Sequence, residues 1–320
     1  MPLALVSPPP TSTGVLTLST GRRVVLESLL GRGAQTSVYR GVLETWGSKR
    51  AVAVKVYDRV HDDDRDEVVA RVGRAAERAA CIVHSNVLGT FDFAPCSSAR
   101  SAPLLVSELV DGVTLCRRCG VSPALPSMEL AVAIALAVAE ALAAAWFAPG
   151  PDGVPLALAH GALSSRDVYL TTRGEVKVAG FGMGAPPWRS SAVRSLAAIS
   201  PRLATLAPEV AGGAAPDARS DVFALGVLLH EMLMGPRFVP LWSASEAMKE
   251  VHDGVVRENP FAAATLSMPL RAVVRCAVAV DPTLRFPNAR EFSSALTRVA
   301  RPLGIREDPA LVATCVRDAL

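Results

Sequence analysis

The sequence lacks a charge imbalance. Its 33 Lys and Arg stand against 30 Asp and Glu, a formal net charge of +3, and the two signs are interspersed. No basic stripe runs along any segment, which sets nucleic acid aside as a partner. Cysteine is scarce as well. Of Cys81, Cys96, Cys116, Cys119, Cys276 and Cys315, only Cys116 and Cys119 form a CxxC pair. A structural zinc site takes four ligands, and no second pair or histidine follows at finger spacing, so reduced cytoplasmic thiols without a metal are expected. The opening MPLALVSPPPTSTG has no basic leader and no long apolar core, and does not read as a signal peptide. One run, Leu130 to Ala148, is almost wholly apolar, but it is rich in alanine and carries Glu140 near its centre. A membrane span takes about 20 strongly apolar residues, so a buried core helix with no membrane association is the expectation. Aromatics make up only 5%, yet 50% of the chain is hydrophobic, which excludes a disordered protein. A length of 320 residues supports one large domain or two small ones with a real core.

Pattern divides the chain. Residues 1–18, rich in Pro, Ser and Thr, are expected to be disordered. From Arg22 to Tyr57, short β-branched runs alternate with glycine-containing turns and predict strands. A charged helix is predicted over about Asp63 to Val83, then strands over Val87–Phe93 and Pro103–Leu109. Beyond Gly112 the period changes to that of helices: Met128–Phe147, Ser220–Met234, Ala272–Val278, Ala289–Arg301 and Pro309–Leu320, the last with Asp308 as its cap. In that last helix Leu311, Val312, Cys315, Val316 and Leu320 share one face, expected to pack on the larger unit. The expected architecture is α+β: a small β-rich lobe over residues 19–111, a larger helical lobe over 112–300, and a helical extension over 301–320.

Motifs follow in a fixed order. Gly31-Arg32-Gly33-Ala34-Gln35-Thr36-Ser37-Val38 fits a glycine-rich loop, with Thr36 where a third glycine would stand. Glycines there let backbone N–H groups approach phosphates. Val52-Ala53-Val54-Lys55 follows on the next strand, then His84-Ser85-Asn86-Val87, Leu105-Val106-Ser107-Glu108, a loop opened by His160, Gly180-Phe181-Gly182, Ala207-Pro208-Glu209, Asp217 to Gly226, and Asp281 to Phe286. Over roughly residues 22–300 the chain resembles the protein kinase superfamily, in particular its bacterial Ser/Thr branch. The resemblance implies a bilobal fold with a small antiparallel β-sheet lobe and a mainly helical one. It implies that Glu209 pairs with Arg285, that Asp221 accepts N–H groups of the catalytic loop, that His160 and Phe181 stack, and that Gly226 allows close helix packing.

The chemical positions differ from the family's pattern. Against H-R-D-L-K-x-x-N, Ala162 stands for the acceptor-side base, Ser164 for the phosphate lysine and Asp167 for the metal-binding asparagine. Gly180 stands for the aspartate of D-F-G, and Arg202 for the threonine before A-P-E. The glutamate that pairs with Lys55 should fall at Ala75; Glu77, two residues on, lies about 200° around the helix. A methyl group accepts no proton, and phosphoryl transfer is mostly positioning and electrostatics. The resemblance therefore implies a pseudokinase, a regulatory or scaffold protein that docks a protein partner such as an active kinase or signalling complex. The alternative is a Ser/Thr kinase or other ATP-dependent transferase, for which Asp167 is the in-motif metal candidate and Asp63 or Glu67 would be acids from the small lobe. Candidate nucleotide-binding residues are Gly31, Gly33, Val38, Ala53, Lys55, Ser107, Glu108 and Tyr169. Two readings stay open: weak ATP binding without Mg²⁺, or a pocket filled by Tyr169. Ser190, Ser191, Ser195 and Ser200, set among Arg189, Arg194 and Arg202, are read as an unmodified surface loop; a phosphate there would pair with arginine.

Overall fold

The computed structural model describes residues 14–18, 20–33, 35–60, 64–95, 102–116, 125–183, 202–237, 244–256, 260–305 and 308–319, with 244, 245, 247 and 261 by backbone only. Residues up to 13, Ala34, Asp63, Cys96, Cys119 and Ser190 to Ser200 lie outside them. The chain forms two compact units: Met1–Ala76 with Thr90–Leu109, and Glu77–Gly89 with Val110–Leu320.

The first unit is a curled antiparallel sheet. Its strands are β1 Val15–Thr17, β2 Arg23–Arg32, β3 Ser37–Thr45, β4 Ser48–Val56, β5 Thr90–Ala94 and β6 Leu104–Glu108, in the order β1-β2-β3-β4-β6-β5. Alternation sorts the side chains of β4: Val52 and Val54 are fully buried, while Ala53 and Lys55 face the other way and stay half-exposed. Val24, Leu43, Val52, Val54, Leu104 and Val106 make the core under the sheet. Two register shifts in β2, between Leu26 and Ser28 and between Leu29 and Gly31, bend it toward the glycine-rich turn. Helix α1, Arg65–Ala79, runs out of this unit. It ends short of the expected Val83 because Cys81 and Ile82 close turns onto Arg78 and Ala79 instead of continuing the helix.

The second unit carries β7 Gly112–Thr114, β8 Val168–Thr171 and β9 Val176–Val178 as a small sheet. Its described helices are α2 Met128–Phe147, α3 Pro208–Ala211, α4 Ala218–Met234, α5 Ala244–His252, α6 Pro260–Thr265, α7 Met268–Ala277, α8 Ala289–Ala300 and α9 Pro309–Arg317. Helix α2 is long and apolar enough to cross a membrane by composition, but 72% of its most apolar window is buried. It packs against α4 and α8, with Ile134, Val138, Leu225, Leu229, Phe292 and Leu296 in one core. Glu140, the polar group on its face, accepts from the Ser293 hydroxyl of α8 at 2.9 Å.

Gly226 sits where α4 meets the end of α7. A Cβ there would stand 2.7 Å from the Ala277 Cβ and 3.0 Å from the Val278 Cγ1. Gly226→Ala is therefore expected to overpack the crossing and cost about 1–3 kcal/mol, read by chemical denaturation.

Several boundaries differ from the sequence reading. The strand expected over Val87–Phe93 starts at Thr90, because Val87 and Leu88 belong to the second unit, where Val87 bridges to Val178 and the Leu88 N–H donates to the Val178 carbonyl. Helix α7 starts at Met268 rather than Ala272: Ser267 caps it by accepting from the Leu270 N–H, and a proline sits in its first turn. Helix α9 stops at Arg317 and packs on β8 and α2, with Asp308 capping the Ala310 N–H. Strands β1 and β7–β9 and helices α3, α5 and α6 were not expected.

Candidate functional site

In the first unit the ladder gathers the expected nucleotide residues. Val38 of β3 lies opposite Lys55 of β4, and Ala53 of β4 lies opposite Ser107 of β6. Opposed residues of antiparallel strands point to the same side, as do residues two apart along one strand. Val38, Ala53, Lys55 and Ser107 therefore share one half-buried face, opposite the core face. Glu108 follows Ser107 and lies across from Val52. Gly31 pairs with Val38 and closes the glycine-rich hairpin. Lys55 Nζ lies 5.7 Å from the Tyr57 ring, and among the described residues it has no ion-pair partner. Ala75, where the family has its glutamate, is buried, while Glu77 is exposed. Glu67 is spent on Arg71 within its own helix at 3.5 Å.

In the second unit the loop from His160 to Asp167 is held from below. The buried Asp221 carboxylate of α4 accepts the His160 N–H at 2.7 Å and the Gly161 N–H at 2.9 Å. Burial pushes this carboxyl above the ordinary range, and His160 and the two N–H groups pull it back only in part. The His160 ring meets the Phe181 ring at 5.0 Å, tilted by 57° rather than stacked, and places Nε2 2.8 Å from the Ala179 carbonyl oxygen. Glu209 of α3 receives both terminal nitrogens of the buried Arg285, at 2.7 and 2.8 Å.

The positions where the family keeps its chemistry are internally satisfied here. Asp167 Oδ2 accepts the Ser164 N–H at 3.0 Å and the Ser164 hydroxyl at 2.7 Å. Its Oδ1 faces the Arg202 guanidinium at 3.3 Å. Ala162 lines a cavity of about 20 Å³ together with Gly161, Leu163, Arg202, Thr205 and Asp221. That is room for about one water. Gly180 has φ +91, a backbone that L side chains rarely adopt, although a Cβ there would find Asp167 Oδ1 only at 3.6 Å. Tyr169, on β8, is held above the usual tyrosine range by burial and then by the Asp167 charge. Among the described residues, no three His, Cys, Asp or Glu side chains converge as a metal site.

Two residues of this arrangement escaped the sequence reading. The sequence marks Arg202 as a departure from the family threonine and as one of the arginines near the serine loop, but not as the partner of Asp167. Arg237 was not seen at all: it is fully buried, donates to the carbonyls of Ala204 at 2.6 Å and Val255 at 2.7 Å, and burial lowers it to about 10. Arg237 and Arg285 both lie over the buried Phe223 ring, at 5.2 and 4.7 Å. A lone arginine after a helix carries no pattern that would mark it.

Comparison with known proteins decides the family. The model described as protein tyrosine and serine/threonine kinase matches residues 24–292. The chain belongs to the protein kinase superfamily. It is similar to the serine/threonine-protein kinase PknB of Mycobacterium leprae, 32% identical over 284 residues that make up 87% of this chain and 43% of the relative. PknB of Mycobacterium tuberculosis is also 32% identical, over 286 residues covering 87% and 43%. A probable serine/threonine-protein kinase of Streptomyces coelicolor is 30% identical over 279 residues, covering 85% and 39%. This kinase-family chain thus spans less than half the length of these relatives. Among solved structures, a mutant of the Mycobacterium tuberculosis PknI kinase domain superposes with a TM-score of 0.64 at 23% identity, covering 87% of this chain and 95% of that one. The wild-type PknI kinase domain gives 0.62 at 23% identity, covering 90% and 98%. These likenesses show the kinase fold.

Proposed function

We propose that this kinase-fold chain is a pseudokinase: it binds a protein partner, an active kinase or a signalling assembly, and does not transfer phosphate. The observation that carries the reading is the state of Asp167. One of its oxygens is taken by Ser164 and the other faces Arg202. With Gly180 at the other family metal position, this donor set does not fit Mg²⁺, which takes near-ideal octahedral oxygen coordination. Ala162 offers no base, since a methyl group accepts no proton.

The face formed by Val38, Ala53, Lys55 and Ser107 supports weak ATP binding without a metal. Lys55 supplies the charge for the phosphates, and the small Ser107 leaves room behind the base. Thermal unfolding with ATP, in Mg²⁺ and in EDTA, tests this. Equal stabilisation in both is expected, about 2.7 kcal/mol at 100-fold over Kd. A shift only with Mg²⁺ would return a metal site to this chain and overturn the reading.

A second reading has an observation of its own. The relatives at 30–32% identity carry the name serine/threonine-protein kinase, and an ordinary kinase would follow that name. It needs Asp167 to release Arg202 and hold a metal. Asp167→Ala would then abolish every Mg²⁺-dependent effect of ATP, whereas the pseudokinase has none to lose.

A further inference from the structure

The glycine-rich segment of the first unit is tied to the chain that leaves β4. We propose that Asp58 and Arg59 form a latch that holds this segment folded and must release before its amides can take a phosphate. The inference rests on the nucleotide face proposed above and names its regulation.

Three bonds make the latch. The Ser37 hydroxyl donates to Asp58 Oδ2 at 2.7 Å. The Arg59 N–H donates to the Gln35 carbonyl at 3.2 Å. The Arg59 guanidinium donates to the Gly33 carbonyl at 3.1 Å. Inside the segment, the Gly33 N–H donates to the Thr36 carbonyl at 2.7 Å. That amide is thus already spent, although it is one a phosphate would need. Thr36, at the place of the family's third glycine, is 9% exposed, and its Oγ1 lies 3.0 Å from where a Gly33 Cβ would be. A third glycine would leave that space empty and the turn loose; threonine fills it.

The latch is also releasable. Asp58 Oδ1 is buried with no hydrogen-bond partner among the described residues. A desolvated carboxylate oxygen without a donor offsets part of what the other bonds gain. Opening the segment returns that oxygen to water and frees the Gly33 N–H together. The bond from the Arg59 guanidinium is exposed, so water competes for it.

The test is native-state amide exchange across residues 31–38 of the full chain, read by mass spectrometry. Ser37→Ala should speed exchange about three- to tenfold, the worth of one hydrogen bond. Ser37→Ala with Arg59→Ala should exceed that, and Arg40→Ala, which removes only an exposed ion pair to Glu27 on the same hairpin, should change it less than Ser37→Ala does. Exchange equal to wild type in the double variant would overturn the latch. The second arm is ATP affinity in EDTA, using Ser37→Ala because it alters no charge. Affinity about three- to tenfold tighter than wild type is expected. Faster exchange with unchanged affinity would overturn the gating role. Faster exchange with no ATP bound by any variant would overturn it too, and would place the failure in the nucleotide reading rather than in the latch.

Discussion

Glu209→Ala is expected to lower stability by about 3 kcal/mol and the unfolding midpoint by roughly 4–6 °C. The reason is what the substitution leaves behind. The Arg285 side chain is 0% exposed, and its fork meets both oxygens of Glu209 at 2.7 and 2.8 Å. Its other donors already go to the carbonyls of Ala279, Val280 and Arg219. Without Glu209 the guanidinium stays buried with its charge unmatched, and losing one partner of a buried pair costs about 3–5 kcal/mol. Glu209 is 23% exposed, so water relieves part of that and the lower end applies. Arg285→Lys should also destabilise, since an ammonium cannot make the two-pronged bond. Replacing both partners with apolar residues should cost less than the two single changes added together. A Glu209→Ala protein that melts within a degree of wild type would show that the pair contributes nothing.

Purified protein given ATP and Mg²⁺ is expected to incorporate no phosphate above background, into itself or into a generic protein substrate. Lys55→Met should leave that background unchanged. A general base contributes about 10²–10⁴ in rate, and each preorganised electrostatic partner about 10²–10³. Ala162, Ser164 and Gly180 together forgo a base and two charged partners. These effects are not additive, yet even the base alone takes the rate below that of an intact kinase by at least roughly 10². Phosphate incorporation that disappears in Lys55→Met would overturn the proposed function. It would direct attention to Asp167, whose replacement by alanine should then abolish it as well.

The sheet of the first unit was legible because its signals are local. VAVK alternates at period two, and glycines punctuate the hairpin before it. The large helices were legible from period and caps. The departures from the family pattern at Ala162, Ser164 and Gly180 were legible because the family's motifs fix the positions to compare. What could not be read depends on pairing across distance. Arg202 meets Asp167 from 35 residues away, and Arg237 reaches carbonyls that no side-chain pattern announces. Strands of three or four residues such as β7 and β9 exist only because a neighbour supplies their hydrogen bonds. Val87 and Leu88 looked like the start of a strand, and their apolar character serves a bridge to Val178 instead. The latch at Asp58 and Arg59 was hidden for the same reason, since two of its three bonds use backbone carbonyls.

The pairing of Arg202 with Asp167 also bears on ancestry and descent. Neither position can change alone without penalty. Asp167→Asn alone would leave a cation facing an amide, and Arg202→Thr alone would leave a largely buried carboxylate with only Ser164. The two positions are therefore epistatic, each holding the other in its present form.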